Sequence, residues 1–147
     1  MKIGHAHLKV RDLETSVDFY TRFLGLRVTE IISGQYAFLT DGVLHHDLAL
    51  QAVGADAPMP HAHGVGLYHV AFEVPDKAAF AQAYQELVAA GVAVHPVDHT
   101  SISWALYFDD PDGNGLEIYL DTRSESEAGT LWLGVNRPLP PSRILSA

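Results

Sequence analysis

The chain contains two copies of one short pattern, and this duplication limits the folds that are open to it. Residues 5–12 read His-Ala-His-Leu-Lys-Val-Arg-Asp, and residues 69–76 read His-Val-Ala-Phe-Glu-Val-Pro-Asp. In each copy a histidine opens an alternating stretch typical of a β-strand, and an aspartate closes it seven residues later. Such repetition predicts a fold built from two copies of one supersecondary unit.

A helix is predicted after each of these aspartates. Asp12 can cap the first helix, whose apolar side chains recur at helical spacing until Gly25, and Asp76 can cap the second, which ends at Gly91. The extended segments that follow are Leu26–Ile32, Gln35–Leu39 and His46–Val53 in the first half and Val92–Pro96, Trp104–Phe108 and Leu116–Leu120 in the second. The shared order β-α-β-β-β predicts an α+β fold of two paired βαβββ modules.

The two modules are predicted to form a single domain over residues 1–121. The first module covers about 3–53, a linker rich in Ala, Pro and Gly covers 54–66, and the second module covers about 67–121. One half-sheet cannot close on itself, so we expect two concave faces to pair into an open, half-barrel-like mixed sheet around a cavity. Residues 122–147 form a polar and then Pro-rich tail, which could cover an opening or dock on a neighbouring subunit.

Composition excludes several classes of function. None of the 147 residues is a cysteine, so disulfides, thiolate chemistry and cysteine zinc sites are impossible. A net charge of −9 argues against a nucleic-acid partner. No apolar run approaches the ~20 residues of a membrane span, and the N-terminus lacks a secretory signal pattern, so we expect a cytoplasmic protein. Any metal must be bound through carboxylates and the nine histidines.

Three of these side chains could converge as metal ligands. If a pseudo-twofold axis relates the modules, His5 and His69 occupy equivalent places on the two opening strands. Glu117 is the lone carboxylate of an apolar strand, and it either points to solvent or has a buried partner. Two imidazoles and one carboxylate suit non-haem Fe(II) with open coordination positions, and Mn(II), Zn(II) and Ni(II) accept the same ligands. His7 competes with His5, because residues two apart share a strand face.

One further histidine is predicted to lie near such a metal. When Asp41-Gly42 is aligned with Asp112-Gly113, His46 falls opposite Glu117. His46 would then act as a fourth ligand or as an acid/base with a pKa near neutrality, and a surface histidine in a turn is the alternative. Because His45 and His46 are adjacent, only one of them is expected to face the cavity.

Tyr107 and His99 are the remaining candidates for the site. Tyr107 could hydrogen-bond a substrate oxygen from the cavity face of its strand, or its ring could simply pack in the core. His99 precedes it by eight residues. We treat the other histidines of the second half and the linker, namely His61, His63 and His95, as surface or loop residues.

These motifs resemble the vicinal oxygen chelate superfamily, which includes glyoxalases, type I extradiol dioxygenases, fosfomycin-resistance transferases and bleomycin-binding proteins. The resemblance covers roughly residues 3–121 and implies paired βαβββ modules. In the metal-dependent members it implies ligands matching His5, His69 and Glu117. The motifs that carry it are His5-x6-Asp12-Leu13, Phe19-Tyr20-x3-Leu24-Gly25-Leu26, His69-Val70-x-Phe72 and Tyr107-Phe108-x2-Pro111-Asp112-Gly113-Asn114-x2-Glu117.

Within the superfamily the pattern is most similar to a one-domain extradiol dioxygenase. The segment His45-His46-Asp47-Leu48-Ala49-Leu50 is similar to the His-His-x-Leu-Ala stretch that carries the acid/base histidine of those enzymes, here His46. Tyr107 matches their substrate-facing tyrosine, and His99 is similar to a second active-site histidine. The resemblance implies Fe(II)-dependent ring cleavage of a catechol-type aromatic diol by dioxygen.

Other members of the superfamily remain as alternatives. A fosfomycin-type thiol transferase would need basic residues for a phosphonate, and a glyoxalase or epimerase would need a fourth ligand, which Gln51 or His46 could supply. A metal-free binding protein of the bleomycin type would suit the acidic charge but has no need of His5, His69 and Glu117 together. Unpaired sheet edges would permit a homo-oligomer.

Overall fold

The computed structural model describes residues 1–146, and Ala147, the last residue of the predicted tail, lies outside them. The fold is α+β, as predicted. A short 3₁₀ helix spans Glu125–Glu127. The helices and strands, in chain order, are β1 (Ala6–Val10), α1 (Leu13–Leu24), β2 (Arg27–Ile32), β3 (Tyr36–Thr40), β4 (Leu48–Ala52), β5 (Val70–Glu73), α2 (Lys77–Ala89), β6 (His95–His99), β7 (Ser103–Asp109), β8 (Gly115–Asp121), β9 (Asn136–Pro138) and α3 (Pro141–Leu145).

The chain divides into two compact units, each with its own mixed sheet. The first unit comprises Met1–Tyr68 and Asp110–Asn114, and the second comprises His69–Asp109 and the chain from Gly115 on. The strand order is β1-β4-β3-β2 in the first sheet and β5-β8-β7-β6-β9 in the second. In each sheet the opening strand runs parallel to the last strand of its own module, and the other pairs are antiparallel. Both sheets are open, so the predicted pair of βαβββ modules is confirmed.

The two modules begin their helices in the same way. The Asp12 carboxylate accepts a 2.8 Å hydrogen bond from the backbone N–H of Thr15, and the Asp76 carboxylate accepts one of the same length from Ala79. These bonds satisfy an N–H group that has no partner inside its helix. α1 ends at Gly25, whose φ of 64° lies in the left-handed region that glycine adopts without strain. The caps predicted from the repeat are confirmed.

Burial alternates along the opening strand β1, whereas β4, β7 and β8 are buried on both faces. In β1 the even-numbered Leu8 and Val10 are buried, whereas His7 and Lys9 on the opposite face are exposed. The largest buried apolar side chains include Val10, Tyr20, Leu39, Leu48 and Leu50 in the first unit, and Phe80, Leu87, Leu106, Leu116 and Ile144 in the second. In β8 the candidate ligand Glu117 is itself buried, between the buried Leu116 and Ile118.

One predicted strand lies further along the chain than expected. The segment Val92–Pro96 was predicted as extended, but β6 starts only at His95. The backbone N–H of Val92 donates to the carbonyl of Leu87 at 3.0 Å, so this part of the segment still closes the end of α2. The register with β7 then fixes β6, with His95 opposite Tyr107.

Part of the tail belongs to the fold of the second unit. β9 pairs with the outer edge of β6, and α3 follows it. Leu139 and Ile144 are buried, with 3% and 0% of their surfaces exposed. The Arg143 guanidinium lies 2.6 Å from the Asp98 carboxylate. Part of the tail thus extends the second sheet, and the two roles predicted for the tail, covering an opening or docking on a neighbouring subunit, stay predictions. Among residues 1–146, no helix combines the length and apolar character needed to span a membrane.

Candidate functional site

Two of the three predicted metal ligands are in contact in the second unit. His69 directly precedes β5, and β5 runs beside β8 with Ala71 opposite Glu117. Nε2 of His69 lies 2.9 Å from Oε2 of Glu117. Glu117 is only 8% exposed, so it does not point to solvent. The burial cost of this carboxylate is offset by the imidazole beside it.

The spacing of these two atoms suits one divalent cation. Donor atoms that lie about 2.1 Å from a common metal and about 90° apart are separated by about 3 Å. His69 and Glu117 match that separation and supply the nitrogen and oxygen donors that Fe(II), Mn(II), Zn(II) and Ni(II) accept. Among the residues that the structure describes, no three His, Asp or Glu side chains are grouped so as to hold a metal. The structure thus brings together two of the three predicted ligands.

Tyr107 and His99 lie on the same sheet face as this pair. The register places Tyr107 opposite Glu117 on the neighbouring strand. The rings of Tyr107 and His69 have centroids 5.5 Å apart, and the Tyr107 hydroxyl lies 2.7 Å from Nε2 of His99. Residues two apart on one strand share a face of the sheet, and so do register partners on neighbouring strands. These polar side chains therefore lie on one face, across adjacent strands. Tyr107 is half-buried and its hydroxyl is hydrogen-bonded to His99.

A residue of the tail completes this row. Asn136 opens β9 opposite His99, and its Oδ1 lies 2.6 Å from Nδ1 of His99. The ring of Trp132 packs edge-on against the ring of His99, with centroids 5.3 Å apart. The sequence analysis missed Asn136 and Trp132, because the tail carries no repeat pattern and only the β6–β9 pairing brings them here.

In the first unit a second group of aromatic side chains surrounds His46. The centroid of the His46 ring lies 4.4 Å from the centroid of the His5 ring and 5.0 Å from that of the Phe38 ring. The pKa of His46 is lowered, first because burial disfavours its charged form and then because charge on His5 or His45 would repel it. The lowered pKa favours the neutral form of the His46 imidazole.

His45 lies beside His46, although only one of the two was expected to face the cavity. Both residues precede β4, and the His45 side chain is 60% exposed whereas His46 is half-buried, so the expectation stays a prediction. Both rings lie against Phe38, and Nδ1 of His45 is 2.9 Å from Nδ1 of His46. Nε2 of His45 is 3.6 Å from a Glu30 carboxylate oxygen, a contact that no local sequence pattern predicts.

The competing residues of the first unit have other partners. The ring of His7 lies edge-on to Tyr36, with centroids 6.3 Å apart, whereas His5 lies against His46. The side-chain amide of Gln51, the alternative fourth ligand, donates a 3.1 Å hydrogen bond to the Tyr36 hydroxyl. His5, which directly precedes β1, is thus the histidine that lies beside the predicted acid/base, His46.

The sequence profile of the Glyoxalase/Bleomycin resistance protein/Dioxygenase superfamily matches residues 2–118. The chain belongs to this superfamily, in agreement with the two βαβββ modules and with the resemblance of its motifs.

Individual relatives include proteins named as dioxygenases. The chain is 38% identical over 121 residues to catechol-2,3-dioxygenase of Bacillus subtilis, an alignment that covers 81% of the chain and 41% of that protein. It is 30% identical over 131 residues to biphenyl-2,3-diol 1,2-dioxygenase 3 of Rhodococcus globerulus, covering 88% and 68%. It also resembles the solved structure of lactoylglutathione lyase from Agrobacterium tumefaciens, with a TM-score of 0.62 and 25% identity over 81% of this chain and 92% of the other.

Proposed function

We propose that the protein is a non-haem Fe(II)-dependent extradiol dioxygenase that cleaves the ring of a catechol-type aromatic diol. The observation that carries this proposal is the row of His69, Glu117, Tyr107 and His99 on one sheet face. The names of the two relatives, a catechol dioxygenase and a biphenyl-diol dioxygenase, support the same substrate class. The chain spans less than half of the length of the first relative, so the proposal concerns the site that this chain carries.

His5 is proposed as the third ligand beside His69 and Glu117. It directly precedes β1 as His69 directly precedes β5, so the two histidines hold equivalent positions in the repeated modules. A bound Fe(II) would supply open positions at which a diol and dioxygen bind side by side and exchange electrons. Mn(II), Zn(II) or Ni(II) could occupy the same ligands, and the choice of Fe(II) follows from the proposed reaction.

His46 is proposed as the acid/base. Its Nδ1 faces His45, so Nε2 is the atom that takes the proton of a substrate hydroxyl and later returns it. The lowered pKa of His46 favours this role, because a neutral imidazole is needed to accept the proton.

Tyr107 is proposed to orient the substrate, with His99 as its partner. The half-buried phenol of Tyr107 lies beside the proposed ligands His69 and Glu117 and can hydrogen-bond one oxygen of the diol. This bond fixes the substrate ring relative to the ligands. His99 is held by Tyr107 on one nitrogen and by Asn136 on the other. Both oxygen atoms of dioxygen end in the ring-opened product.

Oxygen uptake tests this function. The purified protein is loaded with Fe(II) under anaerobic conditions and then supplied with air and a panel of substituted catechols. We expect uptake together with a yellow ring-opened product in the wild type, and neither signal in Glu117→Ala treated in the same way. Absence of uptake with every diol, in wild-type protein that retains Fe(II), would overturn the proposal.

Glyoxalase-like chemistry is the second candidate, and the likeness to lactoylglutathione lyase is the observation that favours it. A fourth ligand on the last strand of the first module would be expected for it, and Gln51 is the residue there that could serve. The Gln51 amide is instead bonded to Tyr36, which favours the dioxygenase. Isomerase activity of the metal-loaded protein on a thiohemiacetal, without oxygen uptake, would favour glyoxalase-like chemistry over the dioxygenase.

A further inference from the structure

A chain of hydrogen bonds joins the tail to Tyr107. Nε1 of Trp132 lies 3.1 Å from Oδ1 of Asn136 and 3.0 Å from the carbonyl of Val135. The same Oδ1 lies 2.6 Å from Nδ1 of His99, and Nε2 of His99 lies 2.7 Å from the Tyr107 hydroxyl. Four side chains of the second unit are thus connected in one line.

The direction of each bond follows from the one group that can only donate. The indole N–H of Trp132 has no acceptor capacity, so the Asn136 atom that faces it must be the carbonyl oxygen. That oxygen in turn requires a proton on Nδ1 of His99. In a neutral imidazole the other nitrogen is then an acceptor, so the hydroxyl of Tyr107 donates to Nε2. Trp132 and Asn136 of the tail therefore determine that the Tyr107 hydroxyl directs its proton at Nε2 of His99.

The backbone holds this part of the tail in place. Asn136 is the register partner of His99 in the β6–β9 pair, and the backbone N–H of Thr100 donates to the carbonyl of Val135 at 3.2 Å. The Arg143–Asp98 ion pair and the buried Leu139 lie just beyond. Asn136 is consequently fixed by strand pairing and not by its side-chain contact alone.

We propose that Asn136 is a positioning residue that selects the tautomer of His99 and, through it, the orientation of the Tyr107 hydroxyl. This inference rests on the proposed role of Tyr107 in the function above. With its proton directed at His99, the oxygen of Tyr107 meets a substrate as a hydrogen-bond acceptor. It then accepts a hydrogen bond from a substrate hydroxyl, so the site receives the diol in its protonated form.

A nitrogen–proton correlation NMR spectrum of labelled, metal-free protein reads the tautomer directly. At about pH 8.5, above the usual range of imidazole titration, we expect His99 with its proton on Nδ1 in the wild type. Asn136→Leu removes the acceptor, and His99 should then become a mixture or the Nε2-protonated form. Asn136→Asp keeps an oxygen acceptor and should restore the wild-type tautomer. Arg137→Ala, next to Asn136 but on the other face, is the matched control and should change nothing.

Kinetics of the Fe(II)-loaded protein separate this proposal from the proposed function. We expect Asn136→Leu to lower kcat about tenfold at unchanged metal content, with Asn136→Asp close to wild type. A wild type without oxygen uptake would overturn the dioxygenase proposal, while a tautomer change in Asn136→Leu would still support the positioning role. An unchanged Nδ1-protonated His99 in folded Asn136→Leu would overturn the positioning role, whatever the activity.

Discussion

Nε2 of His69 lies 2.9 Å from Oε2 of Glu117, so the residue that opens the second repeat contacts the carboxylate that lies among apolar residues in that repeat's last strand. The contact exists because β5 and β8 are parallel neighbours, although β6 and β7 separate them along the chain. The sequence indicated this histidine and this carboxylate for separate reasons. The sheet brings them into contact.

The first prediction separates the acid/base from the ligands. His46→Ala should keep the wild-type content of bound Fe(II) but lose about 100-fold or more in turnover, because a proton acceptor is removed while the proposed ligands remain. Metal analysis and oxygen uptake on the same sample provide the measurement. His61→Ala, in the linker, is the control and should retain both properties. Joint loss of metal and activity in His46→Ala would make His46 a ligand instead.

The second prediction concerns the buried bond between Tyr20 and Asp110. The Tyr20 hydroxyl donates to the Asp110 carboxylate at 2.9 Å, and that carboxylate also receives backbone N–H groups of Asp112 and Asn114. Tyr20→Phe should lower the free energy of unfolding by about 1–2 kcal/mol, because a buried acceptor loses one donor.

Urea unfolding measures this loss. Tyr119→Phe is the matched control, because its hydroxyl bonds Glu73 near the surface, and its cost should stay below about 0.5 kcal/mol. Equal costs for the two substitutions would show that burial of the Tyr20–Asp110 bond adds no stability.

The third prediction is a pH dependence of stability. The pKa of Asp121 falls to about 2, from a usual 3.8, chiefly because the Arg123 side chain donates hydrogen bonds to its carboxylate. A depressed pKa in the folded state contributes stability that is fully present above pH 3.8 and disappears as the pH falls toward 2. The unfolding free energy should therefore fall more steeply over this interval in the wild type than in Asp121→Asn.

The size of this difference should be small. The carboxylate is partly exposed, so screening limits the contribution of Asp121 to about 0.5 kcal/mol. Chemical unfolding at several pH values between about 5 and 2.5 provides the comparison. Parallel curves for wild type and Asp121→Asn would contradict the assignment.

The fourth prediction tests whether the tail is part of the folded unit. Ile144 of α3 is fully buried, whereas its neighbour Leu145 is 49% exposed. Ile144→Ala should cost about 2–4 kcal/mol in unfolding free energy, because it leaves a cavity in the core. Leu145→Ala should change it by less than about 0.5 kcal/mol. Similar small effects at both positions would show that α3 contributes little to stability.

The sequence predicted those parts of the fold that depend on local patterns and occur in both repeats. Asp12 and Asp76 cap equivalent helices, and alternating strand residues identified the sheets. His69, Glu117, Tyr107 and His99 were also identified, and the register brings them to one face.

The parts that were missed depend on contacts between distant segments. β6 starts three residues later than predicted, because the end of α2 takes up Val92 and the register with β7 selects the rest. Asn136 reaches His99 only through an added edge strand, and Glu30 reaches His45 only through a turn. No local pattern marks either residue. The metal-binding and catalytic roles of all the site residues remain predictions, namely those of His5, His46, His69, His99, Tyr107 and Glu117.

Metal content after anaerobic Fe(II) loading and dialysis tests the central claim most directly. The wild type and His7→Ala should each retain about one Fe(II) per chain, whereas His5→Ala, His69→Ala and Glu117→Ala should retain almost none. His7 is the matched control for His5, two residues away on the same strand face. Full metal content in Glu117→Ala would contradict the proposed ligand set, and with it the dioxygenase that depends on it.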